Sequence, residues 1–147
     1  MYKYTKNKVV KDWRVQKALG DGINAGELRS YRLDPGNFTF KERTLVWRPP
    51  RIQMIYDVSA SGPPYRTGLV TCEAIKQIGF PPRLQTNLLK IDYETGDGEE
   101  GAVEGDETIF LVGNPDDMKK VSSRSGLSLE RLARHVHINR GAKKHSS

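Results

Sequence analysis

Alternation of apolar and polar residues is the clearest pattern in this chain of 147 residues. Apolar side chains occupy every second position from Ile52 to Ala60, which is typical of a half-buried β-strand. A shorter alternation of Phe38 and Phe40 with polar residues, which Leu45 and Trp47 extend, predicts further β-structure. The apolar-rich segments 84–93 and 108–112 predict two more, which we expect to pair antiparallel.

One segment before these strands favours helix. Residues 7–19 place Val9, Trp13 and Leu19 among lysines, and the Gly20-Asp21-Gly22 sequence would end such a helix. Two interpretations fit this segment. It is either a surface helix that packs Trp13 into the core, or a basic arm that lies on lipid headgroups or nucleic acid. Residues 23–36, which follow, are predicted to form a loop.

Three later segments also favour helix. Residues 67–78 carry apolar side chains at roughly helical spacing, with Thr67 as a candidate N-cap and Gly79 as a candidate terminator. The Asn114-Pro115 pair predicts the start of a short helix, because asparagine caps and proline suits the first turn. A last helix is predicted at residues 128–137.

Together these elements predict an α+β fold, in which helices pack on an antiparallel β-sheet. A chain of this length can bury about two-thirds of its unfolded surface in one domain. We expect a basic N-terminal arm or helix at residues 1–22 and a single domain at 23–147 that includes a C-terminal helix. This domain would contain an acidic loop, 92–107, and a basic polar tail, 141–147.

Charge is segregated along the chain, which has a net charge of +6. Residues 1–17 hold six Lys/Arg and one acid, and residues 119–147 hold eight Lys/Arg and one acid, whereas residues 92–107 hold eight acids and no base. Such fields attract phosphate-rich partners or a second copy of the chain. The residues predicted to bind a polyanion are Lys3, Lys6, Lys8, Lys11, Arg14, Lys17, Lys119, Lys120, Arg131, Arg134, Arg140, Lys143 and Lys144. Those predicted to contact the basic arm of a neighbouring copy are Glu99, Glu100 and Glu104.

No pattern of residues predicts catalysis, a cofactor, a metal site or a small-molecule substrate. The one cysteine, Cys72, excludes an intramolecular disulfide and is expected to be a buried thiol. His135 and His137 would point about 200° apart on a helix, which prevents them from ligating one metal ion. The acidic loop lacks the spacing of a calcium-binding loop. The sequence therefore predicts a binding or assembly protein and no enzyme.

Basic residues interleaved with aromatics give an alternative, a small RNA- or DNA-binding module or capsid protein. Such residues can form cationic grooves with stacking surfaces for single strands, although aromatics are equally needed to fill a core. Residues 126–140 look like the first half of a helix-turn-helix unit, but the remaining chain is too short for its second helix. The aromatics with a Lys or Arg within two positions are Tyr2, Tyr4, Trp13, Tyr31, Trp47 and Tyr65.

Residues 54–67, which end in Pro64-Tyr65-Arg66-Thr67, resemble the matrix proteins of rhabdoviruses, over about residues 54–91. Those proteins have a long strand, a Pro-aromatic-Arg-Thr turn and a helix packed on the sheet. The resemblance implies a helix at 69–78, with Tyr65 as an anchor. It also implies a non-enzymatic structural protein of the virion or host cytoplasm. Such a protein self-associates and bridges an anionic membrane to ribonucleoprotein.

Two features bear on localisation. No apolar run approaches the roughly 18 to 20 residues that span a bilayer. The first residues, Met1 to Lys6, lack the apolar stretch of a signal peptide. We therefore expect neither secretion nor a transmembrane segment.

Overall fold

The computed structural model describes residues 1–95 and 106–124, and it confirms the α+β prediction. A five-stranded antiparallel sheet is covered by helices, and two further strands form a small separate sheet. The helices are α1 (Tyr2–Lys11), α2 (Trp13–Leu19) and α3 (Pro115–Arg124). The strands are β1 (Ile23–Asp34), β2 (Asn37–Lys41), β3 (Thr44–Arg48), β4 (Arg51–Ala60), β5 (Thr67–Gln77), β6 (Arg83–Glu94) and β7 (Asp106–Val112).

The main sheet has the strand order β1-β4-β5-β6-β7. Strands β4 to β7 follow one another along the chain, and β1 lies at the edge beside β4. The predicted antiparallel pairing of the last two strands is confirmed, since Ile91 lies opposite Ile109. The alternating strand predicted at residues 52–60 is likewise confirmed as β4.

The helix predicted at residues 67–78 is wrong, because this segment forms the central strand β5. Residues 68–74 are all buried, so both faces of β5 are covered. A strand covered on both faces carries apolar residues at consecutive positions and loses the alternation that distinguishes a strand from a helix. Thr67 therefore begins a strand and caps no helix, and Gly79 ends none.

This correction also affects the resemblance to matrix proteins. The helix that the resemblance implies at 69–78 is a strand, and Tyr65, the implied anchor, is 65% exposed. The turn is instead fastened by its neighbour Arg66. The Arg66 guanidinium donates to the Ala18 carbonyl at 3.1 Å, and the Arg66 amide donates to the Leu19 carbonyl at 3.1 Å. Arg66 thus ties the β4–β5 turn to the end of α2.

The loop predicted at residues 23–36 is also wrong, since most of it forms β1. β1 is an edge strand whose side chains are mostly exposed. Its pairing with β4 shifts register on either side of Leu28. An exposed, irregular edge strand needs no hydrophobic alternation, which explains why the sequence pattern did not indicate it.

Helices α1 and α2 cover one face of the sheet. Val9, Val15 and Leu19 are fully buried there, within one cluster that includes Tyr56 and Ile91. Trp13, which one interpretation packed into the core, is 68% exposed. The reason is a break between the two helices, which re-orients the second helix and turns Val15 and Leu19 inward. The predicted end of the helical segment is confirmed, because α2 stops at Leu19.

A chain of hydrogen bonds fastens α1 to the sheet. The Tyr56 hydroxyl donates to the Thr5 hydroxyl at 3.2 Å, and the Thr5 hydroxyl donates to the Tyr2 carbonyl at 3.0 Å. The Tyr2 hydroxyl in turn donates to the Gly26 carbonyl on β1 at 2.6 Å. The rings of Tyr2 and Tyr56 meet edge to face, with centroids 5.1 Å apart. The first turn of α1 is therefore held on the sheet by specific contacts.

A smaller cluster lies on the opposite face of the sheet, where Met118 of α3 packs near the buried Ile55, Leu69 and Leu88. The predicted start of α3 is confirmed, because the Asn114 side-chain oxygen accepts from the amides of residues 116 and 117 at 2.9 and 3.0 Å. Within residues 1–95 and 106–124, no helix combines the length and hydrophobicity needed to cross a bilayer.

Gly68 allows β5 to lie close to its neighbours. A Cβ atom at this position would be 2.9 Å from Ile91 Cγ2 and 3.3 Å from Leu19 Cδ2, both in the core. We predict that Gly68→Ala lowers the free energy of unfolding by about 1–3 kcal/mol through overpacking. Urea unfolding would measure the change. Gly79→Ala is the matched control, because the nearest atom to its new Cβ is 3.9 Å away. Equal unfolding midpoints for the two variants would contradict this account.

Cys72 is buried, as its sequence context predicted, although on a strand. Burial raises the pKa of its thiol to about 12. Burial, followed by a hydrogen bond to Glu107, raises the pKa of Tyr93 to about 12, and burial also raises the pKa of Tyr56. These groups keep their protons to higher pH in the folded chain than in the unfolded chain.

Stability should therefore fall in alkaline solution. An unfolded cysteine titrates at about pH 8.5 and an unfolded tyrosine at about pH 10. As pH rises through these values the unfolded state loses protons first, so the stabilisation is complete below about pH 8.5 and is lost progressively toward pH 12. Unfolding curves from pH 7 to 11 would measure this loss. In Cys72→Ala the decline should begin nearer pH 10, and an unchanged profile would contradict the assignment to Cys72.

Candidate anion-binding and assembly surfaces

The outer face of α1 and α2 carries exposed cations and aromatics. Because Thr5, Val9, Val15 and Leu19 face the sheet, most of the charged residues between them are exposed to solvent. This surface is called the helix stripe below. Its members are Lys3, Tyr4, Lys8, Lys11, Trp13 and Lys17.

The centre of the helix stripe is a shallow depression lined by Tyr4, Asn7, Lys8, Lys11 and Asp12. Residues 4, 7, 8 and 11 are three or four positions apart, which places them on one side of a helix. Tyr4 is 59% exposed. A flat aromatic ring beside two ammonium groups can contact phosphate through the charges and a base or an acyl-chain boundary through the ring. Lys6, also predicted to bind a polyanion, is half-buried beside this surface.

Arg14 belongs to the predicted polyanion-binding set, but it serves an internal contact. Its guanidinium binds the Asp12 carboxylate at 3.0 Å and donates to the Phe110 carbonyl at 3.2 Å. Asp12 also caps α2 by accepting from the Arg14 amide at 2.9 Å. The side-chain hydrogen bond from Arg14 lowers the pKa of Asp12. Arg14 thus connects Asp12, the residue between α1 and α2, to Phe110 on β7.

The predicted polyanion-binding residues do not form one surface. Lys119 and Lys120 lie on α3, which covers the opposite face of the sheet from α1 and α2. Each also forms an ion pair along α3, Lys119 with Asp116 at 3.9 Å and Lys120 with Asp117 at 3.7 Å. The predicted residues Arg131, Arg134, Arg140, Lys143 and Lys144 lie outside the described residues, as do His135 and His137.

Strands β2 and β3 form a hairpin, the small separate sheet, which the chain enters from β1 and leaves into β4. The β1–β4 pairing runs in one register from Tyr31↔Met54 to Asp34↔Arg51, and the same register continues from Asn37↔Arg48 to Lys41↔Thr44. β2 and β3 make their main contacts with each other. This hairpin, residues 37–48, is called the ribbon below. Five residue pairs give it a length of roughly 15 Å.

One side of the ribbon is entirely apolar. Phe38 lies opposite Trp47, with ring centroids 4.7 Å apart, and Phe40 lies opposite Leu45. Two-residue spacing on each strand places these four side chains on one face. Phe40 is 81% exposed and Phe38 is 62% exposed. The apolar face is therefore presented to solvent.

The sequence predicted continuous β-structure over residues 38–47 and no turn within it. Glu42 and Arg43 form the two-residue turn, both with positive φ, of 51° and 66°. This is the conformation that favours Asn-Gly or Asp-Gly. A Glu-Arg pair carries no such signal, so the hairpin was not predicted.

Most of the large exposed hydrophobic side chains in the described residues lie toward the end of the sheet that carries the ribbon. The turn between β5 and β6 is at the same end, and it exposes Ile78 and Phe80 fully or nearly so. This end also carries the exposed cations Lys41, Arg43, Arg48, Lys76 and Arg83 and the acids Asp34 and Glu42. It is cationic as well as apolar.

The opposite end of the sheet is acidic. Glu94 lies opposite Asp106 where β6 ends and β7 begins, and Glu107 is next to it. These three residues are called the acidic end below. Asp92, the first acid of the predicted loop, lies within β6 and accepts from Lys90 at 2.7 Å. The predicted self-association residues Glu99, Glu100 and Glu104 lie outside the described residues.

Two buried polar side chains, Gln53 and Glu73, contact each other in the middle of the main sheet. Gln53 on β4 lies opposite Glu73 on β5, and its amide donates to the Glu73 carboxylate at 2.7 Å. The contact is a cross-strand hydrogen bond in the centre of the sheet. Among the described residues, no three His, Cys, Asp or Glu side chains come together as metal ligands would.

No protein-family model matches this chain, and no curated protein or solved structure matches it.

Asp12 should contribute to stability through its cap and its contact with Arg14. We predict that Asp12→Ala costs about 1 kcal/mol, the usual loss for an N-cap residue. Because the folded-state pKa of Asp12 is lowered, its contribution is present at neutral pH and disappears as pH falls through that lowered value. Urea unfolding at pH 7 and pH 2.5 would test this. The control is Asp21→Ala, which removes an exposed acid. An equal loss of stability at both pH values in Asp12→Ala would contradict a contribution from the ionised Asp12 carboxylate.

Proposed function

We propose that this protein is a non-enzymatic structural protein that binds phosphate-rich surfaces through the helix stripe and self-associates. A matrix-like layer in a virion or host cytoplasm is the form of this role that the sequence resemblance implies. The proposal does not depend on that resemblance, whose implied helix at residues 69–78 is strand β5.

The observation that supports the proposal is the separation of charges onto different surfaces. The helix stripe presents four lysines on helices that are fixed to the sheet, and the ribbon presents further cations, whereas the acids collect at the acidic end. Separated fields of opposite sign favour binding of polyanions at one surface and contacts between copies at another. A fixed helix also loses little conformational freedom when it binds.

The helix stripe can be tested by reversing two of its charges. In Lys8→Glu/Lys11→Glu we expect binding to vesicles containing phosphatidylserine to weaken at least about tenfold, because each lysine near an anionic surface contributes about 1 kcal/mol. Cosedimentation with vesicles at several salt concentrations would measure it, with phosphatidylcholine vesicles as the uncharged reference.

The matched control is Lys119→Glu/Lys120→Glu, which changes the net charge equally on the opposite face of the sheet. Its binding should change by less than about threefold, because charges beyond a Debye length are screened. An equal loss in both variants would assign binding to net charge alone. Unchanged binding in the helix variant would refute the proposed role of the stripe.

A second function, binding of single-stranded nucleic acid, is favoured by the exposure of Trp13 and Tyr4 within the helix stripe. In Trp47→Phe, Trp13 is the only remaining tryptophan. We expect its fluorescence to be quenched when it stacks on the bases of an oligouridine RNA, and to shift to the blue when it enters a lipid interface. Quenching by RNA without a response to anionic vesicles would favour the nucleic-acid function over the membrane function.

A further inference from the structure

We propose that the cavity between α3 and β6 binds a small aliphatic primary amine, whose ammonium group pairs with the buried carboxylate of Glu73. This site lies on the face of the main sheet opposite to the helix stripe. The proposal goes beyond anion binding and self-association, and it rests on neither.

Strand alternation places Glu73 on the α3 side of the sheet. Glu73 is four positions from Leu69 on β5, and Leu69 belongs to the cluster that Met118 of α3 packs against. Residues an even number of positions apart point to the same face of a strand. Gln53 lies on this face as well, because it is two positions from Ile55 of the same cluster. Glu73 is 1% exposed and Gln53 is 6% exposed, so both are buried there.

The contact between Gln53 and Glu73 leaves two buried oxygens without a hydrogen-bond donor. Gln53 Nε2 donates to Glu73 Oε2 at 2.7 Å, but Glu73 Oε1 and Gln53 Oε1 have no partner among the described residues. Within the same residues Glu73 forms no ion pair, and Lys120, which lines the same cavity, pairs instead with Asp117 at 3.7 Å. A buried carboxylate is costly unless it is paired and fully hydrogen-bonded. A cationic donor at Glu73 Oε1 would remove this cost.

A glutamine at position 73 would satisfy both oxygens from within the chain. A carboxamide has the shape of a carboxylate, and its amino group can donate to Gln53 Oε1 while its oxygen accepts from Gln53 Nε2. The Glu73 carboxylate offers acceptors only. Glu73 therefore costs the fold a hydrogen bond, and such conflicts between stability and residue choice are expected at functional sites.

A cavity of about 380 Å³ lies beside this carboxylate. Glu73 forms one of its walls, and the others come from β6, β7 and α3. Gln53 approaches Glu73 from β4, which flanks β5 on the side away from β6. Pockets for small molecules have volumes of about 300–1,000 Å³. The cavity therefore has the size of a small-molecule site and adjoins a buried carboxylate.

A bulge in β6 adds polar side chains to the cavity. Glu73 lies opposite Leu88, but the next residue of β5 lies opposite Thr86. Asn87, between these two residues of β6, is the extra residue of the bulge. Bulges re-aim side chains and are over-represented next to active sites. Thr86 and Asn87 both line the cavity, are half-buried, and have no side-chain hydrogen bond among the described residues.

These groups match the chemistry of an alkylammonium ion. An ammonium group carries a positive charge and has N–H donors, of which Glu73 Oε1 can accept one. The Thr86 hydroxyl and the Asn87 side-chain oxygen can accept others. Val112, a further wall of the cavity, offers apolar contact to the alkyl chain. Because Glu73 is almost fully buried, the ligand reaches it when the half-buried side chains beside it change rotamer, as side chains commonly do on binding.

Titration of the full chain with n-butylamine would test the proposal. At neutral pH this probe is the butylammonium ion, and 1-butanol is its uncharged counterpart. Amide NMR spectra would follow binding and locate it. We expect saturable shifts at Glu73, Thr86 and Asn87, with a dissociation constant of about 1 mM for so small a ligand. Binding of 1-butanol should be at least about tenfold weaker, because it lacks the charge-assisted hydrogen bond.

Two variants with the same change in net charge separate the two carboxylates of the cavity. Glu73→Gln should bind butylamine at least about tenfold more weakly. It should also unfold at the same or a higher urea concentration than the wild type, because the carboxamide completes the contact with Gln53. Asp117→Asn is the control, since the Asp117 oxygens already accept from the Asn114 amide and contact Lys120. Its binding should change by less than about threefold.

Three results would overturn the proposal. A wild-type chain without saturable shifts at the cavity does not bind the amine there. Equal weakening in both variants would assign the effect to net charge. A Glu73→Gln variant that unfolds more easily and binds butylamine as the wild type does would leave Glu73 with a structural role only. Vesicle binding by the helix stripe is a separate readout, so failure of this proposal and failure of the anion-binding proposal are distinguishable.

Discussion

Burial of the central strand β5 on both faces is the constraint on which the rest of the structure depends. Seven consecutive residues, 68–74, are shielded from water, so each face of the sheet needs its own cover. Helices α1 and α2 cover one face and α3 packs on part of the other. The absence of a side chain at Gly68 allows Leu19 of α2 and Ile91 of β6 to approach β5 closely. The position of the helices therefore follows from the burial of one strand.

The same requirement creates the surfaces that we assign to binding. Docking of Thr5, Val9, Val15 and Leu19 on the sheet forces the lysines between them outward, and the helix stripe results. The ribbon has the opposite origin. It follows the last residue pair of the β1–β4 ladder as a separate two-stranded sheet, and its aromatic face stays exposed. Protein surface that the fold leaves uncovered is available to a second chain.

The sequence predicted the elements whose apolar residues alternate with polar ones or whose ends carry specific chemistry. β4 alternates because its polar residues face away from the first cluster, and α3 starts at the asparagine cap that Asn114 provides. β5 was predicted as a helix because burial on both faces erased its alternation. Of the site, the lysines of α1 were predicted as anion-binding residues. The ribbon was not recognised, because Glu42 and Arg43 adopt a turn conformation that their residue types do not indicate.

The docking of α1 and α2 also has a consequence during synthesis. The apolar side of the helices is buried against residues of β4, β5 and β6, which follow them in the chain, the last of these being Tyr93. At about 5 to 20 residues per second, translation of the 74 residues from Leu19 to Tyr93 takes roughly 4 to 15 s. During this interval a basic, amphipathic segment leaves the ribosome without its partner strands. The nascent chain can therefore engage an anionic surface before its own sheet has formed.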